Sequence, residues 1–96
     1  MNLPDNVKEK VIELAQKYRI KKVILFGSRA RDDNWERSDI DLAISGGDRV
    51  RFALDIDEIE TVPTLLMFDV VDMDAPCNEE LLESIQQDGI VLYEEE

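Results

Sequence analysis

A small α/β domain, built from one sheet with helices packed on it, is the fold the sequence predicts, and three observations predict it. Apolar residues recur at helical spacing in the first twenty residues and again after Asp48 and Asn78. Between these stretches lie short apolar runs of strand length, at residues 23–26, 39–44, 65–71 and 90–93. Turn-forming residues punctuate the joins, at Gly27, Gly46, Gly47, Pro63 and Gly89. Helical and strand periods alternating over 96 residues fit one domain, 1–96, with no internal repeat and no interdomain linker.

Taken in order, Leu3, Pro4 and Asp5 open a helix in which Val7, Val11, Leu14, Ala15 and Tyr18 share one face. Lys8, Glu9, Lys10, Glu13 and Lys17 lie elsewhere on it, so its apolar stripe is expected to cover the sheet. Lys21 and Lys22 lead into the first strand, 23–26. The second strand, 39–44, stops at Ser45, Gly46 and Gly47, which read as a flexible loop. From residue 51 to about 60, Phe52, Leu54, Ile56 and Ile59 mix helical and strand spacing. A helix is favoured, because Asp48 can cap it and a crossover is needed before the next strand. Val62, Pro63 and Thr64 break the pattern, and the strand 65–71 follows, carrying Asp69. Asp74, Ala75 and Pro76 form a turn, and the acidic stretch Asn78, Glu79, Glu80 suits a helix N-terminus. Leu81, Leu82 and Ile85 supply that helix's packing face, and Gly89 ends it. Residues 90–93 dock as a short last strand, and Glu94, Glu95 and Glu96 are expected to fray.

Eleven basic against 23 acidic residues give a formal charge of −12, with no histidine. That balance opposes contact along a nucleic-acid backbone, which calls for clustered positive charge, and suits a basic protein partner. Cys77 is the one cysteine, so neither an internal disulfide nor a cysteine-rich zinc site can form. No signal peptide or membrane-spanning run is evident, and cytoplasmic residence is the default expectation. A chain of this length is too short for a catalytic domain plus a substantial substrate-recognition domain, so another chain is expected to orient the second substrate.

The stretch from Gly27 to Ile44 carries the chemistry. Asp39 and Asp41 stand two apart in an apolar strand, so both carboxylates project from one face while Ile40 and Leu42 point to the other. Like charges side by side repel, and a divalent cation relieves the repulsion. Hard oxygen ligands suit Mg²⁺, which also takes waters and substrate phosphates. The competing reading is a solvated strand end, against which stands the depletion of carboxylates from ordinary strands. Gly27 and Ser28 follow the first strand, where backbone N–H groups and the Ser28 hydroxyl are placed to hold a phosphate. Arg29 and Arg31 suit phosphates, a partner's acidic surface or plain surface ion pairs. Trp35 suits base stacking, partner docking or packing at the sheet edge. Ser38 suits the same site or a local turn. Asp72 faces the opposite side of its strand from Asp69 and reads as a strand-end acid. Met67 and Phe68 read as core, and Cys77 as inert.

The pattern Gly27, Ser28, a spacer, then Ser38, Asp39, Asp41 and Leu42, with Asp69 on a later strand, resembles the minimal nucleotidyltransferase (MNT) family, small relatives of the DNA polymerase beta catalytic domain. The resemblance runs from about Leu14 to Tyr93. One departure is Asp32, where family members of this size usually carry glycine after the Arg-Ala-Arg run. The resemblance implies a nucleotidyltransferase fold, a small mixed sheet with helices mainly on one face, in which Asp39, Asp41 and Asp69 converge. It implies that Asp39 and Asp41 bind the Mg²⁺ holding ATP, and that all three bind a second ion activating the attacking hydroxyl, with Mn²⁺ able to substitute. Two ions about 3.5–4 Å apart stabilise both oxygens of an in-line displacement. Gly27 and Ser28 would grip the terminal phosphates, joined by Arg29, Arg31 and Ser38. It further implies the antitoxin half of a toxin–antitoxin pair, moving AMP from ATP to a tyrosine of a small helical-bundle RNase toxin of the HEPN type. Neutralisation by binding alone, and nucleotidyl transfer to a small molecule, stand as alternatives. Homo-oligomerisation is compatible with all three.

Overall fold

The computed structural model describes residues 3, 5–27, 30, 40–56, 68–75 and 78–95. Helix α1 spans Asp5–Lys17, strand β1 Lys22–Phe26, β2 Ile40–Ser45, helix α2 Arg49–Ile56, β3 Phe68–Asp72, helix α3 Glu79–Asp88 and β4 Ile90–Glu94. The strands form one mixed sheet in the order β3-β2-β1-β4. β1 runs antiparallel to both β2 and β4, whereas β2 and β3 run parallel. That parallel pair is what obliges the chain to cross over through α2.

Alternation along the strands sorts the core. Val23, Leu25, Ile40, Leu42 and Ile44 meet Val7, Val11 and Ala15 of α1 and Phe52 and Ile56 of α2 in the main cluster. Phe26 and Ala43 face the other way, against Ile85 of α3, with Ile24, Val71 and Leu81 packed around them. Two helices therefore cover one face and the third covers part of the other. Tyr18, just past α1, donates its hydroxyl hydrogen bond to Asp55 of α2, and the carboxylate acceptor raises the tyrosine pKa above its ordinary value.

Helix α1 ends without glycine. Arg19 takes a left-handed conformation (φ 55°), and Ile20 N–H reaches back to the Ala15 carbonyl at 2.9 Å. A side chain in that conformation is strained by about 1–2 kcal/mol. Arg19→Gly is accordingly expected to raise stability by up to about 1 kcal/mol in urea denaturation.

The loop after β2, expected to be flexible, is held instead. Gly46 and Gly47 both have positive φ, at 75° and 67°. A Cβ on Gly47 would lie 2.3 Å from the Arg19 carbonyl oxygen, so the loop can lie on the end of α1 only as glycine. Gly46 N–H donates to Asp74 at 2.8 Å, and Asp48 N–H to the Tyr18 carbonyl at 3.0 Å. The cap expected at Asp48 is present, accepting from Arg51 N–H at 3.2 Å, and Asn78 likewise caps α3, accepting from Leu81 N–H at 2.7 Å. The expected fraying of residues 94–96 is corrected at its start. Glu94 lies in β4 opposite Lys22, and Glu95 N–H donates to the Lys21 carbonyl at 2.8 Å, so the ladder carries two residues further. Among the described residues no helix is long and apolar enough to cross a membrane.

Candidate active site

Asp41 and Asp69 lie at one end of the sheet, where β1 finishes and β2 and β3 begin. Asp41 stands opposite Phe26 on one side and opposite Asp69 on the other, in register across the parallel pair. Their parity matches Ala43 and Val71, so both carboxylates project from the face that α3 covers further along. Adjacent strands lie about 5 Å apart, which brings the two side chains within reach of one ion. Asp41 is half-buried and Asp69 exposed.

Gly27 shapes this end. Its φ is +76°, and a Cβ built on it would lie 2.4 Å from Oδ2 of Asp41. The missing side chain is thus a cradle for the carboxylate, beside backbone that can approach a ligand. Gly27→Ala is expected to displace Asp41 and weaken Mn²⁺ binding by about tenfold or more, read by calorimetry.

The remaining expected members of the site, Ser28, Arg29, Arg31, Ser38 and Asp39, lie outside the described residues, as do Trp35, Met67 and Cys77. Among the described residues no three metal-ligating side chains converge. The donor chemistry that is described, two carboxylates in register against a glycine cradle, fits a hard divalent cation. Phe68 packs against the main core, as expected.

Asp72 lies on the other face, as its parity requires, and is no bystander. Arg49, in the first turn of α2, places Nε 2.7 Å from Asp72 Oδ1 and Nη1 3.2 Å from Asp74 Oδ2. The Arg49 guanidinium holds the Asp72 carboxyl below the usual carboxylate range, helped by the Asp74 N–H that donates to it at 2.9 Å. This cluster was missed in the sequence, although one signal was there: a cation in a helix's first turn opposes the helix dipole and needs compensation.

A family model described as "Polymerase beta, Nucleotidyltransferase" matches residues 9–96. The chain belongs to this nucleotidyltransferase family. Over 58 residues the nucleotidyltransferase is 48% identical to a protein of Methanocaldococcus jannaschii provisionally named a protein adenylyltransferase, a stretch covering 58% of this chain and 58% of that relative. Among solved structures, 92% of the nucleotidyltransferase superposes on 73% of a chain from a toxin–antitoxin crystal structure with AMP-PNP, at TM-score 0.71 and 22% identity. It also superposes, over 94% of its length and 71% of the other chain, on a structure of a tri-AMPylated Shewanella oneidensis HEPN toxin with its MNT antitoxin (TM-score 0.65, 20% identity). At these identities the likeness is one of fold. The mixed sheet, its helices and the polymerase beta-like nucleotidyltransferase family expected from Gly27, Ser28, Ser38, Asp39, Asp41, Leu42 and Asp69 are borne out.

Proposed function

We propose that the protein is a metal-dependent adenylyltransferase that moves AMP from ATP to a tyrosine hydroxyl of a HEPN-type toxin and thereby acts as its antitoxin. The observation that carries the reading is the in-register pair Asp41 and Asp69 behind Gly27, in a chain of a nucleotidyltransferase family. The partner class is supported by the fold shared with chains in toxin–antitoxin structures, and the acceptor class by the M. jannaschii relative.

In the transfer the acceptor oxygen forms a bond to the α-phosphorus of ATP, the bond from that phosphorus to the bridging oxygen breaks, and pyrophosphate leaves with the electron pair. The hydroxyl proton passes to a base or to solvent. Asp41 and Asp69, with Asp39, would hold Mg²⁺ or Mn²⁺, in one or two ions, which when bound neutralises phosphate charge and makes the hydroxyl more acidic. Asp69, exposed on the strand at one end of the described sheet order, would orient the incoming hydroxyl and hold its proton. The Gly27 backbone and Ser28 would bind the terminal phosphates, with Arg29, Arg31 and Ser38 beside them. The chain has no histidine, so carboxylates are its means of accepting a proton near neutral pH. A reaction that draws on ATP and Mg²⁺ would run in the cytoplasm.

Intact-mass measurement of the co-expressed helical partner, after incubation with ATP and Mg²⁺, tests the reading. An added mass of one AMP unit per modified site is expected with the parent chain and not with Asp39→Asn/Asp41→Asn. Tight binding and loss of toxicity with no adduct would establish neutralisation by binding alone, and absence of binding would leave a small-molecule acceptor.

A further inference from the structure

The strand that carries Asp69 lies at an edge, and among the described residues β2 is its sole ladder partner. Its register decides whether Asp69 meets Asp41 at all. A slip of one residue would turn Asp69 to the opposite face and is resisted by Phe68 and Val70, which pack against the main core. A slip of two residues keeps the apolar alternation and is not resisted in that way. What it cannot keep is the pairing of Asp72 with Arg49.

We propose that Arg49 is a positioning residue for Asp69, clamping the far end of β3 so that the acid pair stays in register. Arg49 reaches three groups at that end: Nε meets Asp72 at 2.7 Å, Nη1 meets Asp74 at 3.2 Å, and Nη1 also reaches the Gly47 carbonyl at 3.4 Å. Asp74 in turn accepts from Gly46 N–H at 2.8 Å, and Met73 N–H donates to the Ile44 carbonyl at 2.8 Å. One guanidinium thus ties the start of α2 to the end of β3 and to the loop that follows β2. Without it, Asp72 and Asp74 would face each other across a tight turn with their shared cation gone, and the end of the strand would be pushed off rather than held. Guanidinium suits the task because its planar fork contacts two carboxylates at once, which a lysine ammonium does less well. The proposal rests on the reading of Asp41 and Asp69 as a metal-binding pair, and its test separates the two.

Calorimetric titration of the full chain with Mn²⁺ alone, together with amide hydrogen exchange of β3, tests it. In Arg49→Met, Mn²⁺ affinity is expected to fall about tenfold or more, with faster exchange at Val70, Val71 and Asp72. Arg49→Lys is expected to recover part of the loss. If Arg49→Met binds Mn²⁺ as tightly as the parent, even while melting lower, Arg49 is a stabilising ion pair and the proposal is overturned. Should Arg49→Met fail to fold, Asp74→Asn removes one arm of the clamp at an exposed position and is expected to weaken Mn²⁺ in the same direction; parental affinity there overturns the proposal equally. A parent chain that binds no Mn²⁺ overturns the reading of the acid pair itself, whatever Arg49 does.

Discussion

Asp41→Asn is expected to slow nucleotidyl transfer by about 10²–10³-fold while leaving the fold in place, because it removes a charge fixed where phosphate charge develops. Asparagine has nearly the same shape as aspartate, so the cradle at Gly27 is still filled and β2 still pairs with β1 and β3. What is expected to change is the hold on the proposed cation. Single-turnover rates with the proposed toxin partner and ATP titrations with and without Mn²⁺ separate the two effects. Metal-dependent ATP affinity is expected to disappear in Asp39→Asn/Asp41→Asn, and an unchanged affinity there would reject the site. Asp69→Asn is expected to differ in kind, retaining ATP affinity and losing rate, because Asp69 is the exposed residue of β3, open to the proposed acceptor.

The second large effect concerns the core. Phe52 is 0% exposed and, among the described residues, is the largest fully buried side chain, joining α2 to the residues of α1 and the sheet. Phe52→Ala is expected to cost about 3–5 kcal/mol, from lost transfer energy and the cavity left behind. Total stability for a domain of this size is about 5–15 kcal/mol, so the variant is expected to lose between about a fifth and nearly all of it. The midpoint of urea denaturation checks it, and a shift below about 1 kcal/mol would mean that α2 carries little of the core. Because α2 is also the crossover between β2 and β3, loosening it is expected to disturb Asp69 before Asp41.

Local signals in the sequence were strong where the physics is local. Val7, Val11 and Ala15 at intervals of four residues mark α1, Asp48 and Asn78 mark the starts of α2 and α3, and Gly89 marks the end of α3, its N–H bonded to the Ile85 carbonyl at 2.9 Å. The termination of β2 at Ser45, Gly46 and Gly47 was legible for the same reason. What was not legible depends on distant partners. Nothing local distinguishes a flexible Gly-Gly loop from one seated on the Arg19 carbonyl, and Arg19 itself gives no sign that it will adopt a left-handed conformation. The persistence of β4 through Glu94 is set by its neighbours Lys21 and Lys22, which lie at the other end of the chain. The acid pair divides along the same line. Asp41 announces itself as a charge in an apolar strand, but the register that sets Asp69 opposite it belongs to a parallel pairing across the crossover, and there the family resemblance supplied what periodicity cannot.

Placing Asp41 and Asp69 face to face across a parallel ladder has a consequence for the empty protein. Opposed like charges on neighbouring strands weaken a sheet by about 0.2–1 kcal/mol, so the metal-free fold is expected to be slightly weakened at the proposed site. A protein selected for endurance alone would have neutralised one of the two. Asp69→Asn is therefore expected to melt slightly higher than the parent in metal-free, low-salt buffer, and to lose that advantage when Mn²⁺ is added, since the cation stabilises the chain that can hold it.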